Sequence, residues 1–180
     1  PARFNVTKYA KAGKNTVALE VYRFSDASYL EAQDMLLLSG IARSVWVYHV
    51  PKTHIRDVQF TTRPSEKGVY SGNWNLDMAV DVAGNDRHSL EFKVFADDGS
   101  EVPFSGVASA RTSFQFARPA LWTAETPNLY TLVIALKDGA GALKEAVSFQ
   151  LGFREVEIRD AVKQCDRTFL MNGQPVKMRG

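Results

Sequence analysis

Two acidic side chains in one polar segment are the first candidates for chemistry in this chain. Glu31 and Asp34 lie three residues apart within SDASYLEAQDM, the segment that begins at Ser25. Two carboxylates at short spacing can work as a general acid and a general base. Acids at this spacing are also frequent in ordinary loops, and so small a chain implies no aromatic-lined cleft around them. The residues alone therefore favour solvated loop acids over a catalytic pair.

The three histidines and the single cysteine are the next candidates. His49, His54 and His88 could suggest a metal, but a zinc site needs three or four ligands at fixed spacings, and no Cys or acidic residue completes such a pattern. We therefore expect surface or strand-end histidines. Cys165 permits no internal disulfide, and Asp166 beside it opposes thiolate formation, so we expect an inert thiol.

Trp122 and Tyr130 could stack against a sugar ring, since aromatic faces suit pyranose rings. A Trp and a Tyr near the closing strand of a β-sandwich more often plug its end or fix a corner. We interpret both residues as core.

Composition and charge narrow the class of protein. The 180 residues are 45% hydrophobic and 23% charged, which is typical of globular proteins. The net charge is only +2, and the basic residues are scattered, which argues against a nucleic-acid partner. No apolar run reaches the eighteen residues that a membrane span requires, and the first fifteen residues lack the apolar middle of a secretory signal.

The elements that must position these residues are strands, because apolar residues fall mainly at alternate positions or in short β-branched runs. The sequence thus predicts an all-β protein with strands at residues 16–24, 45–50, 54–62, 74–82, 90–96, 113–116, 130–137, 144–151 and 155–159. Turn residues separate them at 11–15, 84–86, 97–99 and 138–141. One strand should bury a single face, formed by Trp74, Leu76, Met78, Val80 and Val82.

Three units follow from this spacing. Residues 1–50 form a strand pair with an intervening loop, and residues 51–156 form an immunoglobulin-like sandwich of about seven strands. Residues 157–180 form a linker and a further hairpin, in which Asn172 and Gly173 suit the two positive-φ positions of a tight turn.

The segments FNVTKYAKAGKNTVALEVYRFSDASYLEAQDM, LSGIARSVWVYHVPKTHIRDV, PALWTAETPNLYTL, LGFREVEI and FLMNGQPVKMRG follow one another along the chain. In this order they resemble glycoside hydrolase family 2, and within it the β-galactosidases. The family's sugar-binding jelly-roll domain ends in a segment similar to FNVTKYAKAGKNTVALEVYRFSDASYLEAQDM, and its exit strand is similar to LSGIARSVWVYHVPKTHIRDV. The immunoglobulin-like domain closes with segments similar to PALWTAETPNLYTL and LGFREVEI. The hairpin that opens the catalytic (β/α)8 barrel is similar to FLMNGQPVKMRG.

The resemblance implies that the bond-breaking residues are not in this chain. In this family the barrel supplies an acid/base glutamate and a nucleophilic glutamate, and retaining glycosidases need these carboxyls about 5 Å apart. The segment that carries them should follow Gly180. The chain would then be an internal fragment without catalytic residues, whose partners are the rest of the parent enzyme and, through it, a β-galactoside.

Asp34 is the one site residue that the resemblance assigns. It aligns, within QDM, with a family aspartate that contacts galactosyl hydroxyls and helps to hold a sodium ion. A carboxylate accepts charge-assisted hydrogen bonds from sugar hydroxyls and offers the oxygen ligand that such cations prefer. The resemblance implies sodium and magnesium for the parent enzyme and no cofactor for this fragment alone.

One alternative stays open, and one consequence follows. Immunoglobulin-like sandwiches also serve as independent carbohydrate-binding or adhesion modules, and fold alone does not choose between these roles. If residues 1–50 are separated from other jelly-roll strands, their unpaired edges favour disorder, pairing with the sandwich, or strand exchange between copies.

Overall fold

Strands make up nearly all of the regular structure of this chain. A computed structural model describes residues 3–31, 40–160 and 167–177. The chain divides into two units, Pro1–His49 and Val50–Gly180. The first contains a four-residue helix, α1, Ser28–Glu31. The second contains the nine strands found in the described ranges: β1 His54–Pro64, β2 Trp74–Ala83, β3 His88–Phe95, β4 Arg111–Phe116, β5 Tyr130–Asp138, β6 Leu143–Leu151, β7 Val156–Asp160, β8 Arg167–Met171 and β9 Gln174–Pro175.

Two three-stranded antiparallel sheets form a sandwich in the second unit. Their strand orders are β1-β2-β4 and β3-β5-β6, which correspond to strands A-B-E and C-F-G of an immunoglobulin-like domain. The all-β, immunoglobulin-like prediction is therefore confirmed.

The sandwich has six strands among the described residues, and not about seven. At the place of strand D, only Ser105 bridges to Gln115 of β4. Pro103 has no N–H to donate to a ladder, and Gly106 has a φ of 146°, so this segment does not continue as a strand. The predicted strand at 155–159 does form, as β7, but it pairs with β8 outside the sandwich.

The core lies between the two sheets and follows the predicted alternation. Trp74, Leu76, Met78 and Val80 of β2 are buried, whereas Val82 at the end of the strand is only partly buried. Burial of each such side chain stabilises the fold by roughly 1.5–3 kcal/mol relative to exposure.

Aromatic rings fill the end of the core near the close of β6. Phe153 is fully buried, and its ring centroid lies 6.2 Å from that of Trp74, 5.0 Å from that of Phe116 and 5.4 Å from that of Tyr130. These separations are in the range of favourable aromatic pairs.

The first unit differs from the prediction. Residues 16–24 and 45–50 lie outside any sheet, and neither segment has a partner strand among the described residues. Large apolar side chains there are exposed, including Phe4 at 82%, Tyr22 at 75% and Trp46 at 80%. Alternating apolar residues express a preference for strands, but a strand forms only where a neighbour can complete its hydrogen bonds.

A small third sheet, with the order β7-β8-β9, follows the sandwich. Asn172 and Gly173 form its two-residue turn, with φ values of 49° and 73°, and Met171 pairs with Gln174 across it. This confirms the predicted hairpin. Within the described ranges, no helix is long and apolar enough to cross a membrane.

Candidate functional site

Asp34, the candidate ligand for substrate and sodium, lies outside the described residues. Cys165 lies outside them as well, so the inert thiol also stays a prediction. The site that the structure does describe is the end of the sandwich where the hairpin is attached.

Segments that are distant in sequence meet at this end of the sandwich. The backbone N–H of Trp122 donates to the carbonyl of Phe153 at 3.0 Å, and Leu121 forms a parallel bridge with the same residue. The hydroxyl oxygen of Thr62 in β1 lies 3.2 Å from the carbonyl oxygens of both Gly152 and Arg154, which share its single O–H donor, and it accepts from the Arg154 N–H at 3.3 Å. These contacts bind the loop before β5 and the segment after β6 to the sandwich.

The turn of the hairpin is attached through the side chain of Asn172. Its amide nitrogen donates to the Trp122 carbonyl at 3.0 Å, and its amide oxygen accepts from the Glu155 N–H at 2.9 Å. The backbone N–H of Asn172 donates to the Glu155 carbonyl, also at 2.9 Å. Asn172 is 7% exposed and is the one buried polar residue in the described part of the chain. Each polar atom of this side chain therefore has a partner, as burial requires.

Tyr70 contacts the same turn from the sandwich side. Its hydroxyl donates to Oε2 of Glu155 at 2.7 Å, and this hydrogen bond, reinforced by burial, raises the pKa of Tyr70. A Cβ placed on Gly173 would lie 2.4 Å from Cε2 of Tyr70, so the turn fits against the ring only without a side chain. We call Tyr70, Trp122, Glu155, Asn172 and Gly173 the hairpin latch.

Tyr130 is part of the core, as the sequence indicates. It is 8% exposed, and its hydroxyl accepts a hydrogen bond from the Ala120 N–H at 2.8 Å. A Tyr at the start of the fifth strand, bonded here to backbone ten residues upstream, corresponds to the tyrosine corner of immunoglobulin-like folds.

Trp122 is half-buried, so its assignment to the core is wrong. It lines an open groove of about 380 Å³ together with Leu129, Gln150 and Arg154. The Arg154 guanidinium lies 4.4 Å from the centroid of the indole ring. The guanidinium thus occupies one face of the ring, and the buried Tyr130 offers no second face for a sugar. The geometry does not support a sugar-stacking pair.

The histidines lie where the sequence places them. His54 and His88 are at the starts of β1 and β3, where each Nδ1 lies 2.8 Å from a nearby backbone carbonyl oxygen. His49 is exposed and outside any strand. In the ranges that the structure covers, no group of His, Cys, Asp or Glu could hold a metal ion.

Several carboxylates on the sandwich surface are paired with cations, including Asp77, Glu91 and Asp138. Nε of Arg63 donates to Oδ2 of Asp77 at 2.6 Å, and this contact lowers the pKa of Asp77 despite its partial burial. The pKa of Glu91 is lowered by Lys137 in the same way. Each described carboxyl with a resolved shift has a lowered pKa: Asp77, Glu91, Asp98, Asp138 and Glu157.

Two family models match consecutive parts of the chain. Residues 1–51 match the model described as "Glycosyl hydrolases family 2, sugar binding domain", and residues 53–154 match "Glycosyl hydrolases family 2".

Curated relatives match the chain over its whole length. The β-galactosidase of Priestia megaterium is 38% identical over 194 residues, and that of Pectobacterium atrosepticum is 36% identical over 197 residues. Each match covers 100% of this chain and 18% of the relative, so the chain spans less than a fifth of the length of these relatives.

The fold is similar to that of a β-glucuronidase from Ruminococcus gnavus. Its complex with D-glucuronic acid aligns with a TM-score of 0.57 and 20% sequence identity, over 71% of this chain and 19% of that one. The apo structure of the same enzyme aligns with a TM-score of 0.58. At this level of identity, the likeness supports the fold alone.

Proposed function

The chain belongs to glycosyl hydrolase family 2, and from that premise we propose that it is the non-catalytic scaffold and substrate-side portion of a retaining β-galactoside hydrolase. One observation carries the proposal. A sugar-binding match at residues 1–51 is followed directly by the family's sandwich at 53–154 and then by a hairpin fixed to that sandwich. The order is that of a connector between a substrate-side domain and a further domain.

The pKa shifts of the sandwich carboxyls support a role other than proton donation in catalysis. A glycosidase needs one carboxyl whose pKa is raised, so that it can donate a proton near neutral pH. The described carboxyls with a resolved shift have a lowered pKa instead, because hydrogen bonds and cations stabilise their ionised forms. These carboxylates are suited to surface ion pairs.

Asp34 is the residue we propose for contact with the substrate. A carboxylate there would orient galactosyl hydroxyls and contribute one oxygen ligand to sodium. It would bind and orient, while two glutamates in a barrel beyond Gly180 would cleave the glycosidic bond. The substrate class rests on the curated relatives, which are named β-galactosidases.

The proposal can be tested with the chain and with the longer gene product that it predicts. The longer product should hydrolyse a nitrophenyl β-galactoside, and the 180-residue chain alone should not. Asp34→Asn in the longer product should raise KM at least tenfold and weaken the sodium dependence, whereas Glu31→Gln should change neither. Turnover by the isolated chain, or a coding sequence without two glutamates downstream of Gly180, would overturn the proposal.

Glycan binding by the 180-residue chain distinguishes the scaffold from the alternative role, an independent carbohydrate-binding module. An independent carbohydrate-binding module would bind a galactoside or another glycan in an array without any longer product. In the wild-type chain, the Arg154 guanidinium covers one face of Trp122, so the groove beside it should not retain a glycan. Glycan binding that Trp122→Ala abolishes would support the module and contradict the scaffold.

A further inference from the structure

We propose that the hairpin latch is a positioning device, which fixes the direction in which the chain leaves the sandwich. This inference rests on the proposed function, because the direction matters only if a further domain follows. Asp34 lies before the sandwich and the proposed glutamates lie after the hairpin. The latch therefore lies on the covalent path between the substrate-binding residue and the catalytic residues.

The hairpin needs the sandwich to hold its orientation. β8 has five residues and β9 has two, and a small three-stranded sheet is stable by itself only if it buries a hydrophobic face. On one face of β7, Val156 is 50% exposed and Ile158 is 66% exposed, so apolar burial on that face is incomplete. The opposite face carries Leu170, which is 6% exposed, so attachment to the sandwich comes from that face and from the turn.

The attachment at the turn is directional. Asn172 bonds to two segments at once, through the Trp122 carbonyl and through both backbone groups of Glu155. Apolar burial is non-directional and does not by itself fix an orientation. Hydrogen bonds to fixed backbone groups weaken steeply with misalignment, so they define a single orientation.

Asn172 combines two properties that neither Gly nor Asp provides together. Its φ of 49° is in the left-handed region, which Asn and Gly tolerate well. Gly keeps this backbone conformation but leaves the Trp122 carbonyl and the Glu155 N–H without partners. Asp keeps the acceptor but places a carboxylate oxygen against the Trp122 carbonyl.

Tyr70 and Gly173 provide a second, independent contact in the latch. The ring closes on the turn where a Cβ would lie at 2.4 Å, and the hydroxyl is bonded to Glu155. Tyr70→Phe removes the hydroxyl and keeps the ring, so it weakens the latch with little risk to the fold.

Amide hydrogen exchange in the 180-residue chain tests the latch itself. We expect Asn172→Gly and Asn172→Asp to speed exchange across β8 at least tenfold while exchange in β2 stays unchanged, and Tyr70→Phe to act in the same direction to a smaller extent. Gly99→Ala is the matched control, because Gly99 has a φ of 81° and open space around it. Unchanged exchange in β8 for both Asn172 variants would overturn the inference.

Kinetics of the longer product test positioning. A merely structural residue changes the amount of active enzyme, so kcat per titrated active site and KM stay at their wild-type values. We expect Asn172→Gly and Asn172→Asp to lower kcat/KM per titrated site at least tenfold, with KM raised, and Gly99→Ala to leave both constants unchanged. Wild-type constants in both Asn172 variants would contradict positioning. A wild-type product without galactosidase activity would refute the proposed function, and the exchange result would then decide the latch by itself.

Discussion

Gly173 lies so close to the ring of Tyr70 that a Cβ on the glycine would be 2.4 Å from Cε2 of that ring. Gly99 and Gly141 have similar φ values, 81° and 86°, but nothing lies within 4 Å of a Cβ at either position. The three glycines thus share one backbone conformation and differ in their surroundings. This difference separates the cost of backbone strain from the cost of a steric contact.

Gly173→Ala should destabilise the chain more than Gly99→Ala does. Both changes place a side chain at positive φ, which costs about 1–2 kcal/mol. Only the first also forces Tyr70 away from the turn, which should add roughly 1–3 kcal/mol. Urea denaturation followed by tryptophan fluorescence measures both variants. Equal midpoints for the two would show that the ring moves freely.

Tyr130→Phe should lower the free energy of unfolding by about 1 kcal/mol. The ring stays in the core, but the hydrogen bond from the Ala120 N–H to the hydroxyl is lost. Tyr29→Phe, at a residue that is 86% exposed, should have no measurable effect. Thermal unfolding of both variants by circular dichroism compares them, and matching melting temperatures would argue against a stabilising corner.

Acid should reduce the contribution of the Arg63–Asp77 pair to the free energy of unfolding. The pKa of Asp77 is lower in the folded chain than its unfolded value of about 3.9, because Arg63 donates a hydrogen bond to the carboxylate. The stabilisation is therefore present above about pH 4 and is lost as the pH falls through the folded pKa. The stability advantage of wild type over Asp77→Asn, measured by urea denaturation, should shrink from pH 6 to pH 2.5.

A double-mutant cycle provides the control for this pair. Arg63→Gln should remove most of the pH dependence of the free energy of unfolding that Asp77→Asn removes. The double variant should be little less stable than either single variant. Since about a third of the Asp77 side chain is exposed, water screens the interaction and the coupling should be small. Additive losses in the cycle would mean that the two side chains do not interact.

Alkali should release the latch at Tyr70. The pKa of Tyr70 is raised because its hydroxyl donates to the Glu155 carboxylate, so the folded chain favours the neutral phenol. The contribution of this hydrogen bond to stability is complete below the pKa of about 10 that Tyr70 has in the unfolded chain, and it is lost as the pH rises through the folded pKa. Glu155→Gln should move the Tyr70 titration, followed by ultraviolet absorbance against Tyr70→Phe, to lower pH. A titration that does not move would exclude this hydrogen bond in solution.

The first unit should make the chain associate with itself. Phe4, Tyr22 and Trp46 are all more than two-thirds exposed, at 82%, 75% and 80%, and exposed apolar groups favour contact between copies. The mass of residues 1–180 should rise with concentration in size-exclusion chromatography with light scattering. A chain of residues 50–180 should stay a monomer. Identical behaviour of the two would show that residues 1–49 do not drive association.

Much of the fold could be predicted from the sequence. The alternation of Trp74, Leu76, Met78 and Val80 specifies a strand with one buried face, because side chains in a strand point to opposite sides in turn. Asn172 and Gly173 specify a tight hairpin turn, because few other residues adopt two successive positive φ values. These are local properties, and local sequence determines them.

The candidate site could not be predicted from the sequence, because it is formed by contacts between distant segments that local patterns do not encode. Tyr70 lies in a polar loop with no periodicity, and its partner Glu155 is 85 residues away in the chain. The sequence motifs that contain Trp122, Glu155 and Asn172 could each be recognised, but their meeting at one end of the sandwich could not. Trp122 was assigned to the core because a Trp near a closing strand is usually buried there, and its place beside Arg154 emerged only from the packing.

By itself, the sequence determined an all-β chain of glycosyl hydrolase family 2, the strands of its sandwich and the turn of its hairpin. The tertiary structure decided which strands found partners, because a ladder forms only between segments that meet in space. Residues 54–62 pair with β2 and form part of β1, whereas residues 16–24 have no strand neighbour among the described residues. The tertiary structure also decided that the Asn172 amide joins the hairpin to the sandwich, since that hydrogen bond connects groups 50 residues apart.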